Sequence, residues 1–160
     1  MRHLSLLLVL TSTALAGPLL QTKSSVAEGN FCKTYGCSLV RRTVVMPETM
    51  HTFSYEYAVR GHTLTVGRLY TKDIYFGALY LPASQWNSPL VRDFFPNFAG
   101  LTPEPSTLRA CVKAALSSGS DLPTPISSGK VGGIGYTAEC QAERGGQVSF
   151  TVMDDRDLFR

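Results

Sequence analysis

The chain has 160 residues, and 15 basic against 12 acidic side chains leave a net charge of only +3. So weak an excess, scattered along the chain, argues against nucleic-acid binding, for which a concentrated basic face is expected. With 44% hydrophobic and only 17% charged residues, wholesale disorder is excluded, and the length suits one domain with a real core.

Arg2 and His3 precede an almost unbroken apolar run over residues 4–10, and Ala14-Leu15-Ala16 places small residues at cleavage positions. This is the layout of a secretory signal peptide whose apolar run is too short to span a bilayer. Residues 1–16 are therefore expected to be removed after Ala16, giving a secreted or periplasmic protein that starts at Gly17. No cysteine follows the cleavage site to carry a lipid, and no second apolar run approaches spanning length. Residues 17–30 are polar, small and aperiodic, and read as a flexible lead-in. A single domain is expected over residues 31–160.

The four cysteines, Cys32, Cys37, Cys111 and Cys140, allow three disulfide connectivities. An oxidising compartment favours two bonds over free thiols. The favoured pairing is Cys32–Cys37, closing a small loop around Thr34-Tyr35-Gly36, with Cys111–Cys140 tying a helix to a strand. The Cys-x-x-Cys spacing of metal knuckles and dithiol redox centres is absent.

From Leu39 the hydrophobic pattern has period two, which predicts strands near 39–46, 51–60, 63–70 and 73–81. Pro47-Glu48-Thr49-Met50 reads as a four-residue turn. Arg60-Gly61-His62-Thr63 and Tyr70-Thr71-Lys72-Asp73 read as tight turns, the first with Gly61-His62 central as in type II′. These turns set Val44 beside Phe53 and Arg42 beside Tyr55. They also set Val59 beside Leu64, Tyr57 beside Val66, Tyr55 beside Arg68 and Phe53 beside Tyr70. In the last pair of strands Leu79 faces Leu64 and Tyr75 faces Arg68. One sheet face then carries Val40, Val44, Phe53, Tyr57, Val59, Leu64, Val66 and Leu79. The other carries Thr43, Ser54, Thr63 and Thr65 with an Arg41–Glu56 pair. A slip of one residue would scramble this division.

Beyond Leu81 the period becomes helical. Ser88-Pro89 reads as an N-cap with proline at the first helical position, and Pro96 ends a short helix over 89–95. Thr102-Pro103 opens a second helix that closes at Gly119, with Leu108, Cys111, Val112 and Ala115 on one stripe. The Pro/Ser/Gly-rich residues 121–133 read as a loop. Ile134, Tyr136, Ala138 and Cys140 then alternate on one strand, and Val148, Phe150 and Val152 on the next. The expected fold is α+β: a four-stranded antiparallel meander, two helices on one face and a C-terminal β-hairpin.

Motifs for chemistry are sparse. His51 and His62 fall at opposite ends of one hairpin, too far apart to share a metal or a proton, so no metal site and no cofactor are expected. Neither Gly-x-Ser-x-Gly nor Ser-x-x-Lys occurs. The Asp154-Asp155-Arg156-Asp157 tail lacks calcium-loop spacing, and Gly132-Gly133-Ile134-Gly135 precedes a strand where a dinucleotide fingerprint would open a helix. Arg42, Tyr55, Arg68 and Tyr75 stand out, because the inferred register makes them one row of alternating guanidinium and phenol. Such a row is either a structural cation–π ladder or a clamp for an acidic ligand. The sequence thus points to an exported, disulfide-stabilised binding or protein-interaction module without catalysis, its partner a small acidic ligand or a protein. The alternatives are a small extracytoplasmic hydrolase or a cell-envelope structural or assembly component.

Overall fold

A computed structural model describes residues 17–45, 52–118 and 122–155. The expected signal peptide, the Pro47-Glu48-Thr49-Met50 turn, His51, Gly119, Asp121 and the tail from Arg156 onward lie outside those residues. The elements run α1 (Asn30–Tyr35), β1 (Cys37–Val45), β2 (Thr52–Val59), β3 (His62–Leu69), β4 (Ile74–Pro82), α2 (Pro89–Ala99), α3 (Pro105–Ser118), β5 (Thr124–Val131), β6 (Ile134–Glu143) and β7 (Gln147–Asp154). All strands join one antiparallel sheet of seven in the order β1-β2-β3-β4-β7-β6-β5. The α+β class is as expected, but the meander and the C-terminal hairpin are not separate. β7 pairs along β4, Leu79 facing Phe150, and fuses them into a continuous sheet.

Three local expectations are corrected. Pro96 lies inside α2 rather than ending it, and the helix continues to a left-handed Gly100 cap. The extra turn carries Phe98, which is fully buried and packs against Phe31 and Phe94, so apolar burial outweighs the missing backbone hydrogen bond. Residues 124–131 form a strand rather than a loop. As an outer strand, β5 tolerates Pro125, where a bulge interrupts its pairing with β6. Gly132-Gly133 is the β5–β6 hairpin turn, with both residues at positive φ.

The third correction is the lead-in, which is a packed strap. Leu19 and Leu20 donate backbone hydrogen bonds to Asn97 and Phe98 at the end of α2, at 2.8 and 2.9 Å. The Gln21 amide reaches the Ile74 carbonyl at 2.6 Å, and the Ile74 amide returns to Thr22 at 2.9 Å. Leu19, Leu20 and Val26 are buried in the same core as Phe31, Phe94 and Phe98. The apolar positions are too few and too irregular to show a period, yet Leu19, Leu20 and Val26 are all buried.

The helices and strap cover one face of the sheet. Ser88 caps α2 as expected, accepting from the Val91 amide at 3.4 Å. In α3 the expected stripe Leu108, Cys111, Val112 and Ala115 is the buried one. Tyr57, Val59, Leu64, Val66 and Leu79 are buried in the core on this face, but Val40 and Val44 are exposed because β1 lies beyond the helical layer. On the opposite face Arg41 pairs with Glu56 at 2.6 Å, as expected. Among the described residues no helix is long and apolar enough to cross a membrane.

Both favoured disulfides are present: Cys32–Cys37 closes α1 onto β1, and Cys111–Cys140 ties α3 to β6. Their sequence separations of 5 and 29 residues imply unequal effects on the unfolded chain. Replacing Cys111 and Cys140 together by alanine should lower stability by about 3–4 kcal/mol, against about 2 kcal/mol for the Cys32/Cys37 pair. Equilibrium denaturation of the two variants checks the order. Leu20→Ala should cost about 2–5 kcal/mol, the range of a filled core position. A cost near zero in the same assay would mean that the strap is not part of the fold.

Candidate functional site

The β2–β3 register differs from expectation by two residues. The turn uses Arg60-Gly61, both at positive φ as type I′ requires, rather than Gly61-His62, so Val59 faces His62 and Tyr55 faces Val66. A shift of two preserves the faces, and Arg68 stays on the same side of the sheet as Tyr55 while pairing with Phe53. The β1–β2 pairs Arg42–Tyr55 and Val44–Phe53 stand as expected.

Tyr75 does not join them. A bulge between Gly67 and Arg68 leaves Tyr75 unpaired, with Gly67 facing Phe76 and Arg68 facing Ile74. The Tyr75 ring lies across Gly67, where an added Cβ would fall 2.8 Å from ring carbons. Gly67 alternates with Val66 and Arg68, so this ring belongs to the other face. The row is replaced by a cluster of Arg42, Phe53, Tyr55 and Arg68. The Arg42 guanidinium sits 4.6 Å from the Phe53 ring centre and 5.7 Å from that of Tyr55, and Arg68 lies 5.9 Å from Tyr55. Phe53, overlooked as part of the group, was legible as a residue on the same face.

The two arginines are held differently. Arg68 donates through Nη1 to the Lys72 carbonyl at 2.8 Å and through Nη2 to the Ser24 carbonyl. It thereby pins the strap to the β3–β4 turn and retains three of its five N–H groups for other partners. Arg42 is exposed and, among the described residues, has no hydrogen-bond or ion-pair partner. Its position rests on the two rings, Phe53 at 4.6 Å being the closer, and the pair contributes about 0.5–1 kcal/mol at an exposed site.

Together these residues line a cleft of about 440 Å³. Its cations are Lys23, Arg42, Arg68 and Lys72; its aromatic walls are Phe53, Tyr55, Tyr57 and Tyr70; Val26 and Leu69 add to its apolar surface. The described lining contains no carboxylate. Tyr57 is nearly buried, and that burial raises its phenol pKa more than nearby Arg68 lowers it, so Tyr57 stays a neutral hydroxyl at physiological pH. Such a site attracts a negative group electrostatically and accepts an apolar or planar body against the rings. Lys23 and Lys72 carried no sequence signal for this role, because one lay in a segment without periodicity and the other in a turn.

His62, at the start of β3, lines a separate shallow cleft with Tyr35 and Arg60. Six residues of extended chain put it about 20 Å from Arg68. Among the described residues no three His, Cys, Asp or Glu side chains are grouped to hold a metal ion.

No known protein family, curated protein or solved structure matches the chain.

The hydrogen bonds of Arg68 and the bare cation of Arg42 imply different responses to the same substitution. Arg68→Met should lower stability by about 1–2 kcal/mol through two lost charged hydrogen bonds at a half-exposed site. Arg42→Met should cost less than about 1 kcal/mol. Thermal and urea denaturation of both variants measures the contrast, and equal costs would contradict it.

Proposed function

We propose that this protein is a small exported binding module whose cleft between the strap and the β1–β3 sheet takes a carboxylated or otherwise anionic ligand. The observation that carries the reading is the charge inventory of the cleft, four cations without a carboxylate in the described lining. Internal ion pairing would be expected if those cations served the fold alone, and Arg68 alone has an evident structural task. The volume falls within the range of small-ligand sites, and aromatic walls with a few polar groups are their usual composition. Export is supported by the signal-like residues 1–16 and by two disulfides, which persist in oxidising compartments. Cleavage after Ala16 leaves the whole strap, from Pro18 onward, in the mature chain.

Titration calorimetry at low ionic strength with citrate and with hexaglutamate tests the reading. Saturable binding that weakens with added salt is expected, with Arg42→Met reducing affinity by about tenfold while the fold is kept. Absence of binding by both probes would overturn it.

A further inference from the structure

The two outer strands of the sheet are finished differently. β5 carries Pro125 at a bulge, Gly129 and Lys130, features that discourage pairing with another chain. β1 has one bulge, at Val40, and otherwise leaves eight of its nine residues exposed. Leu39, Val40, Val44 and Val45 are each between 47% and 61% exposed, an unusual apolar content for a free edge. Among the described residues β1 pairs only with β2, so half of its backbone amides and carbonyls point outward without a strand partner there.

This edge is also one wall of the cationic cleft. Arg42 belongs to both, and on the cleft face of β1 it stands between Leu39 and Val44. A second copy of the chain is a poor occupant. Antiparallel pairing of β1 with itself about its midpoint sets Arg41 opposite Arg41, and like charges directly opposite are destabilising. An acidic strand instead meets Arg42, whose guanidinium has no ion-pair partner among the described residues.

We propose that β1 accepts an extended acidic segment of a partner protein as an eighth strand, with one of its carboxylates entering the cleft at Arg42. The inference rests on the anionic-ligand reading and adds the partner's chemistry and its mode of attachment. Main-chain hydrogen bonds along β1 supply affinity that does not depend on sequence, and the Arg42 position selects an acidic residue flanked on the same face by apolar ones.

The probe is a fluorescein-labelled peptide Thr-Val-Thr-Glu-Thr-Val-Thr, which as a strand sets one glutamate between two valines on one face, with its fully N-methylated counterpart as control. Anisotropy should show binding of the first, a loss of about tenfold or more on N-methylation, and a similar loss with Arg42→Glu. Hydrogen exchange should slow at β1 amides in the complex. Equal affinity of the two peptides without β1 protection would overturn strand addition and leave the cleft reading standing. Failure of both citrate and the peptide to bind would remove the two together. A concentration-dependent dimer that competes with the peptide would overturn the proposal in favour of a second copy.

Discussion

Seven strands spaced about 4.8 Å apart extend about 29 Å between the outer axes, whereas two helices packed side by side cover about 20 Å. α2 lies over β4 and β7, and α3 over β5 and β6, so the helical layer is used up on one side of the sheet. The deficit falls on β1, β2 and part of β3. Phe31 of α1 and Leu19, Leu20 and Val26 of the strap fill the inner part of that gap. Its outer part is left as the cleft and the open edge of β1. The site is therefore a consequence of how far the core reaches.

The strap links the two regions. Its hydrogen bonds to α2 and to the first residue of β4 fix its course, and the Arg68 guanidinium then ties Ser24 to the β3–β4 turn. Lys72, which carries one of these carbonyls, and Lys23, which precedes Ser24, are thereby brought to the cleft lining. Arg68 has a structural task beyond the cation–π ladder that a row of arginines and phenols suggested. Two of its donors hold the fold together, and its charge still contributes to the field inside the cleft. Arg42 is free of that structural duty, which makes it the cleaner reporter of binding.

The legible parts of the fold were those written in local pattern. Period-two alternation located β1 to β4, the Ser88-Pro89 pair set the start of α2, and the Leu108, Cys111, Val112, Ala115 stripe gave the buried face of α3. Both disulfides followed from cysteine spacing and compartment. Pro96 misled because a proline near the end of a helix removes one hydrogen bond, a smaller loss than exposing Phe98. Residues 17–29 misled because burial of three scattered apolar side chains leaves no period to detect. β5 was hidden by the same polar, proline-bearing composition that suits an outer strand.

For the site, local pattern determined which residues share a face, and it did so robustly. The face of Arg42, Tyr55 and Arg68 survived a register error of two because side chains alternate with period two. What only the tertiary structure decided was where that alternation breaks. The absence of a side chain at Gly67 leaves room for the Tyr75 ring, but the bulge that turns the ring there depends on how β3 and β4 are held together. The position of the strap, and with it the charge of the cleft, likewise depends on a surface assembled from α1, α2 and β4. Alternation is a property of successive residues, so the sequence carries it; bulges and docking surfaces arise between segments distant in the chain, so only the assembled fold contains them.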